Sequence, residues 1–136
     1  MSSYYKTNKL HKSIVVGRIS IAVFTIILIL ISVIPASMIE AEKIVFFKGF
    51  DKLVHIIMYA SLMIVWILSI KKPKEENNNS KYLIIGMLYC TFIGIFTEIL
   101  QYLTNLGRSF EILDIFADIT GILLVIIFFN YKKLIK

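Results

Sequence analysis

The chain has 136 residues, of which 58% are hydrophobic, and it carries a formal net charge of +6. A soluble domain is roughly half apolar, so a mean hydropathy of +0.82 excludes an ordinary soluble fold. The single cysteine, Cys90, excludes an intrachain disulfide. Because the basic residues are spread between apolar runs instead of forming one patch, we expect no nucleic-acid partner.

The first apolar run, Ile14–Ile34, follows a basic N-terminal segment. Cleavage as a signal peptide near Ala36 is the alternative, but the run is longer than the ~7–15 residues of a signal-peptide core. We predict an uncleaved transmembrane helix that ends at Pro35. Beyond it, Ser37 and Glu40 have capping-box spacing, and aromatic residues alternate with charges up to Phe50. We predict a segment lying on the outer membrane interface, with a plain polar loop as the alternative.

The second apolar run, Leu53–Ile70, contains His55, and the third, Tyr82–Leu103, contains one acid, Glu98. Between them lies the strongly hydrophilic tract KKPKEENNNS, which predicts a loop over residues 71–81.

The fourth apolar run, Leu113–Phe129, contains Asp114 and Asp118. Each of the four runs is close to the ~17–25 residues that a bilayer requires. We therefore predict an all-α integral membrane protein, a bundle of four transmembrane helices with short connecting loops. Residues 1–136 form one membrane domain in this prediction, and its motif-bearing part is residues 51–121.

The basic residues predict the topology. Eleven of the fifteen lysines and arginines lie on one side of such a bundle: Lys6, Lys9, Lys12, Arg18, Lys71, Lys72, Lys74, Lys81, Lys132, Lys133 and Lys136. The positive-inside rule then predicts a multi-pass protein of the cell membrane with the 71–81 loop and both termini in the cytoplasm.

The acids concentrate at the other end, where His55, Glu98 and Asp118 reach a similar depth on three helices. Charged groups at that depth turn towards one another or towards water. Small residues near them, including Gly94 and Gly121, favour close helix contacts. We predict an acidic pocket that opens to the outside and is formed by Asp51, Lys52, His55, Tyr59, Glu98, Gln101, Arg108, Ser109, Asp114 and Asp118.

An ordered set of short motifs runs through this region: Asp51-Lys52-x-x-His55, Glu98-x-x-Gln101, the Gly107–Phe110 loop GRSF, Asp114, and Asp118 followed by Gly121. This set resembles the VanZ-like membrane protein family, in which the position of Asp118 is more often Asn. The resemblance implies a bacterial integral membrane protein of the cell envelope. The family is named for a protein associated with low-level resistance to teicoplanin, a glycopeptide antibiotic, and it brings no established reaction.

Three functions remain open. The polar set is a structural network, or a pocket that binds an envelope component, or the site of an enzyme acting on a lipid-linked envelope substrate. The candidate catalytic groups of such an enzyme are His55, Glu98, Asp114 and Asp118. Because neither a serine-nucleophile motif nor a glycine-rich phosphate loop is visible, we take catalysis as the alternative to binding.

The expected partners are membrane lipids and a cell-wall precursor, a glycopeptide or a partner membrane protein. One histidine with several carboxylates is a poor zinc set and a tolerable magnesium or manganese set. We expect no metal and no other cofactor.

Overall fold

The computed structural model describes residues 2–34, 49–69, 79–104 and 110–134. They form four helices: α1 (Ser2–Ser32), α2 (Phe50–Ser69), α3 (Asn79–Thr104) and α4 (Ile112–Leu134). No strand occurs within these ranges. Every helix contains a stretch long and apolar enough to cross a membrane: His11–Ser32, Phe50–Ser69, Ser80–Thr104 and Ile112–Asn130. The predicted all-α bundle of four membrane-spanning helices is confirmed.

The helices extend beyond the predicted apolar runs, and one of them is α4, which continues to Leu134 although the predicted run ends at Phe129. Helix α1 begins at Ser2, well before the apolar run, because no glycine or proline interrupts residues 2–16. Helix α3 begins at Asn79, inside the predicted loop 71–81, since Asn and Ser are favoured where helices start. The interfacial segment predicted between Pro35 and residue 48, and most of the 71–81 loop, lie outside the described residues.

The helices alternate in direction. At the end of α3, the Gln101 side-chain amide donates to the Ser32 carbonyl at the end of α1, at 2.9 Å. At the start of α2, the Lys52 ammonium lies 2.9 Å from the Asp114 carboxylate at the start of α4. One end of the bundle therefore combines the C-terminal ends of α1 and α3 with the N-terminal ends of α2 and α4.

Helix α2 is the centre of the bundle, since it contacts the other three helices and packs most extensively on α4. Gly121 permits this packing: a Cβ there would collide with the α2 backbone at the Ile56 carbonyl and the Ala60 nitrogen. The buried apolar core around α2 consists of Leu28, Tyr59, Leu62, Met63, Cys90, Ile93 and Ile122.

Burial in this bundle is the reverse of that in a soluble protein. Leu30, Leu68 and Phe92 are exposed on its outer surface, whereas His55, Glu98 and Asp118 are buried within it. In each membrane-spanning stretch, only 22–33% of the residues are buried inside the bundle. The remaining, largely apolar surface is suited to lipid, and the polar groups turn away from it.

Candidate functional site

Four titratable side chains from three helices meet near one end of the bundle. His55 comes from α2, Glu98 from α3, and Asp114 and Asp118 from α4, where they are four residues apart and share a face. All four are buried, with exposed fractions of 6%, 0%, 7% and 1% respectively. We call these four residues the buried cluster.

His55 is oriented by one of the acids. Its Nδ1 lies 2.9 Å from Asp118 Oδ1. Because an ionised carboxylate can only accept, Nδ1 carries the hydrogen and donates it. The other ring nitrogen, Nε2, lies 3.8 Å from Glu98 Oε1 and 3.9 Å from Asp114 Oδ2. Both distances are too long for hydrogen bonds, although the two oxygens approach the same nitrogen.

Several carboxylate oxygens in the cluster have no hydrogen-bond donor among the described residues. Glu98 Oε2 accepts from the Glu111 backbone N–H at 3.2 Å, but Glu98 Oε1 has no donor, and neither has Asp118 Oδ2. Asp114 Oδ1 also lacks a hydrogen bond, although Lys52 Nζ lies 2.9 Å away as an ion pair. Leaving a buried charged acceptor unpaired costs ~1–3 kcal/mol or more. The cluster is therefore short of positive charge.

Lys52 lies between the buried cluster and the end of the bundle. Its ammonium lies 2.6 Å from Asp51, 2.7 Å from Glu111 and 2.9 Å from Asp114. Asp51 and Glu111 are substantially exposed, so these three residues form a rim between the buried cluster and the end of the bundle. Arg108 and Ser109, which were predicted in the pocket, lie outside the described part of the chain.

The remaining predicted pocket residues divide between the cluster and the bundle contacts. Tyr59 stacks on His55 with ring centroids 6.4 Å apart. Its hydroxyl donates to Thr97 Oγ1 at 2.7 Å, because the Thr97 hydroxyl itself donates to the Gly94 carbonyl. Gln101 does not join the cluster, since its amide is bonded to α1.

Two further residues contribute to the pocket. Thr97 is fully buried beside Glu98, and Glu111 holds both Lys52 and Glu98. Thr97 could have been predicted from the sequence, because it stands next to the single acid of α3. The backbone contact of Glu111 had no such signal.

Two sets of side chains have the composition and proximity to hold a metal ion. His55, Glu98 and Asp114 each offer one ligand atom, and these atoms lie within 4.8 Å of one another. Asp51, Glu111 and Asp114 meet the same criterion, but the Lys52 ammonium lies among them. In the second set the Lys52 ammonium already supplies the positive charge. Among the described side chains, none places a cationic group between the three ligand atoms of the first set.

An apolar groove lies towards the other end of the bundle, between α2 and α4. Its lining is formed by Ile64, Ile67, Leu68, Leu124, Val125, Phe128 and Phe129. Such a lining offers hydrocarbon contacts only, so the polar chemistry of the described residues is concentrated at the opposite end.

Searches among curated proteins and among solved structures found no match. The sequence model of the VanZ/LLP1 family matches residues 1–135. The match extends well beyond the motif-bearing part and confirms the predicted resemblance. Together with the four membrane-spanning helices and the ordered motifs that bring His55, Glu98 and Asp114 into one cluster, it shows that the chain is a multi-pass membrane protein belonging to the VanZ/LLP1 family.

Proposed function

We propose that this protein binds a component of the bacterial cell envelope at the outer face of the cell membrane and thereby changes the response to teicoplanin-type glycopeptide antibiotics. The observation that carries the proposal is the buried cluster around His55, with donorless oxygens on Glu98 and Asp118. A network that served packing alone would pair these acceptors, because unpaired buried charge destabilises a fold.

The proposed orientation follows from the basic residues. From their places in the sequence, we expect eleven of the fifteen lysines and arginines at the end of the bundle opposite to the buried cluster. The positive-inside rule places that end and both termini in the cytoplasm. The buried cluster and its rim then face the outside, where wall precursors and glycopeptides are found.

The charge of the site limits its ligands. Asp51, Glu98, Glu111, Asp114 and Asp118 stand against Lys52 and His55, so the site is negative even when His55 is protonated. The positive charge that the described residues lack can be supplied by the ligand. It is either an amino group of an envelope component or a cation that accompanies an anionic headgroup.

A second function is favoured by the contact between His55 and Asp118. A carboxylate that fixes the imidazole and leaves Nε2 directed at two acids is the arrangement of a general acid–base pair. On this alternative, the protein is a membrane enzyme that acts on a lipid-linked envelope substrate.

The test compares teicoplanin susceptibility of a deletion strain complemented with wild type, His55→Gln or Asp114→Asn. Thr120→Ala is the matched control, because Thr120 is exposed and bonds only its own helix, at the Phe116 carbonyl. We expect deletion to change susceptibility, and wild type and Thr120→Ala to restore it. The two cluster variants should fail although they are present in the membrane.

Other outcomes contradict the proposal. Unchanged susceptibility on deletion refutes the antibiotic role. Full complementation by both cluster variants refutes a role for the buried cluster in it. Lipid and wall-precursor profiling separates the two functions, since an enzyme variant accumulates a substrate whereas a binding variant does not.

A further inference from the structure

We infer that His55 Nε2, Glu98 Oε1 and Asp114 Oδ2 form a binding site for a divalent cation of the magnesium or manganese class. This inference deepens the proposed function, since it names the source of the missing positive charge. It rests on that function for the role of the ion but not for the binding itself.

The geometry around Nε2 is the first argument. The nitrogen lies 3.8 Å from Glu98 Oε1 and 3.9 Å from Asp114 Oδ2. A proton on Nε2 would be too far from either oxygen for a hydrogen bond. Neighbouring ligands of an octahedral ion at ~2.1 Å are ~3.0 Å apart, so each of the two distances has to shorten by ~0.8–0.9 Å to close the site. The three atoms are thus too distant to bond one another and close enough to share an ion.

The state of the ligand atoms is the second argument, and it is independent of how many acids are present. Glu98 is fully buried, and none of the described residues donates to its Oε1, although this atom lies 3.8 Å from His55 Nε2. With the Nδ1 hydrogen donated to Asp118, Nε2 presents its lone pair to the same space. Two acceptors that face each other in a buried site are stabilised when a cation, a proton or a water molecule lies between them, and we infer a cation as the occupant.

The surroundings of His55 match those of metal-binding histidines. Such residues almost always donate their second ring N–H to a carboxylate or carbonyl, which fixes the tautomer and raises the basicity of the ligand nitrogen. Asp118 supplies that carboxylate at 2.9 Å. Glu98 is fixed in turn by the Glu111 backbone N–H.

Charge and hardness select the ion. The Glu98 and Asp114 carboxylates together carry two negative charges, which a divalent cation neutralises. Carboxylate oxygens with one imidazole suit magnesium or manganese, which retain waters at their remaining positions. A cation held this way offers those positions to a phosphate or carboxylate of an envelope lipid or precursor, a ligand that the site otherwise repels.

The test uses the full chain in phosphatidylcholine nanodiscs, titrated with Mn²⁺ and followed by electron paramagnetic resonance. We expect one bound Mn²⁺ per chain, with a ¹⁴N coupling in pulsed spectra that reports the imidazole ligand. His55→Gln should remove the coupling. Glu98→Gln and Asp114→Asn should weaken binding by more than ~100-fold, beyond the ~10–100-fold typical of lost outer-shell partners.

The matched control is Asp51→Asn, which removes a rim acid of the second set and leaves the three ligands intact. It should change affinity by less than ~threefold, as expected for an exposed pair. Binding that survives Glu98→Gln but is lost in Asp51→Asn assigns the ion to the rim and overturns the inference. Equal binding by all variants also overturns it, because the ion is then bound non-specifically.

Circular dichroism shows whether each variant folds. If a variant does not fold, the titration of the wild-type chain still tests whether the cation site exists. A folded wild-type chain that takes up no Mn²⁺ with ¹⁴N coupling at millimolar concentration refutes the site. The antibiotic phenotype is measured separately. A chain that binds Mn²⁺ while its deletion leaves susceptibility unchanged keeps the site and loses the proposed function.

Discussion

At the scale of single residues, the buried polar groups are of two kinds. Thr25 and Ser32 donate to carbonyls of their own helix at 2.8 and 2.9 Å, and Thr25 also contacts the Tyr89 hydroxyl on α3. The hydroxyl groups of these residues form hydrogen bonds and contribute to the packing of the helices. Glu98 and Asp118 retain donorless oxygens in the same bundle. The unpaired oxygens thus distinguish the candidate site from polar groups that only hold the helices together.

The first prediction concerns the space in front of Asp118. A Cβ on Gly94 would lie 2.6 Å from Asp118 Oδ2, and that carboxylate is held by His55 through its other oxygen. We expect Gly94→Ala to lower the free energy of unfolding in detergent by ~1–3 kcal/mol, the usual range for overpacking. The measurement is equilibrium unfolding followed by circular dichroism.

A double-mutant cycle supplies the control. With Asp118→Ala the obstructing carboxylate is gone, so the added Gly94→Ala change should be neutral or stabilising, since alanine favours the helix by ~1 kcal/mol over glycine. An equal loss of stability in both backgrounds would show that Asp118 does not occupy this space.

The second prediction concerns the hydroxyl pair of Tyr59 and Thr97. These oxygens lie 2.7 Å apart, fully buried between α2 and α3. Tyr59→Phe and Thr97→Val should each destabilise the protein, with a coupling energy of ~0.6–1.7 kcal/mol as for other hydrogen bonds between membrane helices. Unfolding of the two single variants and the double variant measures it, and additive effects would contradict the bond. Mn²⁺ binding should persist in Tyr59→Phe, because Tyr59 is no ligand.

The sequence allowed the depth of each polar residue to be predicted, but not its direction around the helix axis. Counting residues from the helix ends was enough to place His55, Glu98 and Asp118 at one level. It could not show that Gln101, one turn from Glu98, points to α1 instead. Nor could it show which nitrogen of His55 meets Asp118. Both depend on the rotation of packed helices, which is set by contacts distributed over the bundle.

At the scale of elements, hydropathy predicts the part of a helix that lies in lipid and little beyond it. The apolar runs located α2 and α4 to within a few residues. The extension of α1 back to Ser2 was missed, because its first turns are polar and helix formation there depends on the absence of helix breakers. The same limit explains why Asn79 and Ser80 were assigned to a loop.

The third prediction tests a close backbone approach between α2 and α4. Gly121 faces the α2 backbone at Ile56 and Ala60. Backbone atoms cannot rotate away as a side chain can, so Gly121→Ala should force α2 and α4 apart and lower stability by ~1–3 kcal/mol despite its better helix propensity. Thr120→Ala, one residue away and exposed, is the control. A thermal midpoint unchanged in both variants would contradict this contact.

At the scale of the whole molecule, the two ends of the bundle differ in chemistry. One end holds the buried cluster and the Lys52 rim, whereas the groove at the other end is lined only by apolar side chains such as Leu68 and Leu124. Because charged groups inside a membrane protein turn towards one another or towards water, the described residues favour access from the face next to the buried cluster. Which face that is depends on orientation, and the proposed function requires the outer one.

The fourth prediction decides the orientation. Single cysteines at Ser109 and Asn78, in a Cys90→Ala background, report the two sides of the membrane when intact cells are treated with a membrane-impermeant maleimide. Native Cys90 is buried in the bundle, so its replacement removes background labelling at a small loss of packing. The 11-to-4 division of basic residues predicts that Asn78 lies inside, so we expect labelling at position 109 from outside and at position 78 only after permeabilisation. Labelling of position 78 in intact cells would place the buried cluster in the cytoplasm. It would then overturn an action on wall precursors or glycopeptides at the outer face, while leaving the cation site to be tested by its own titration.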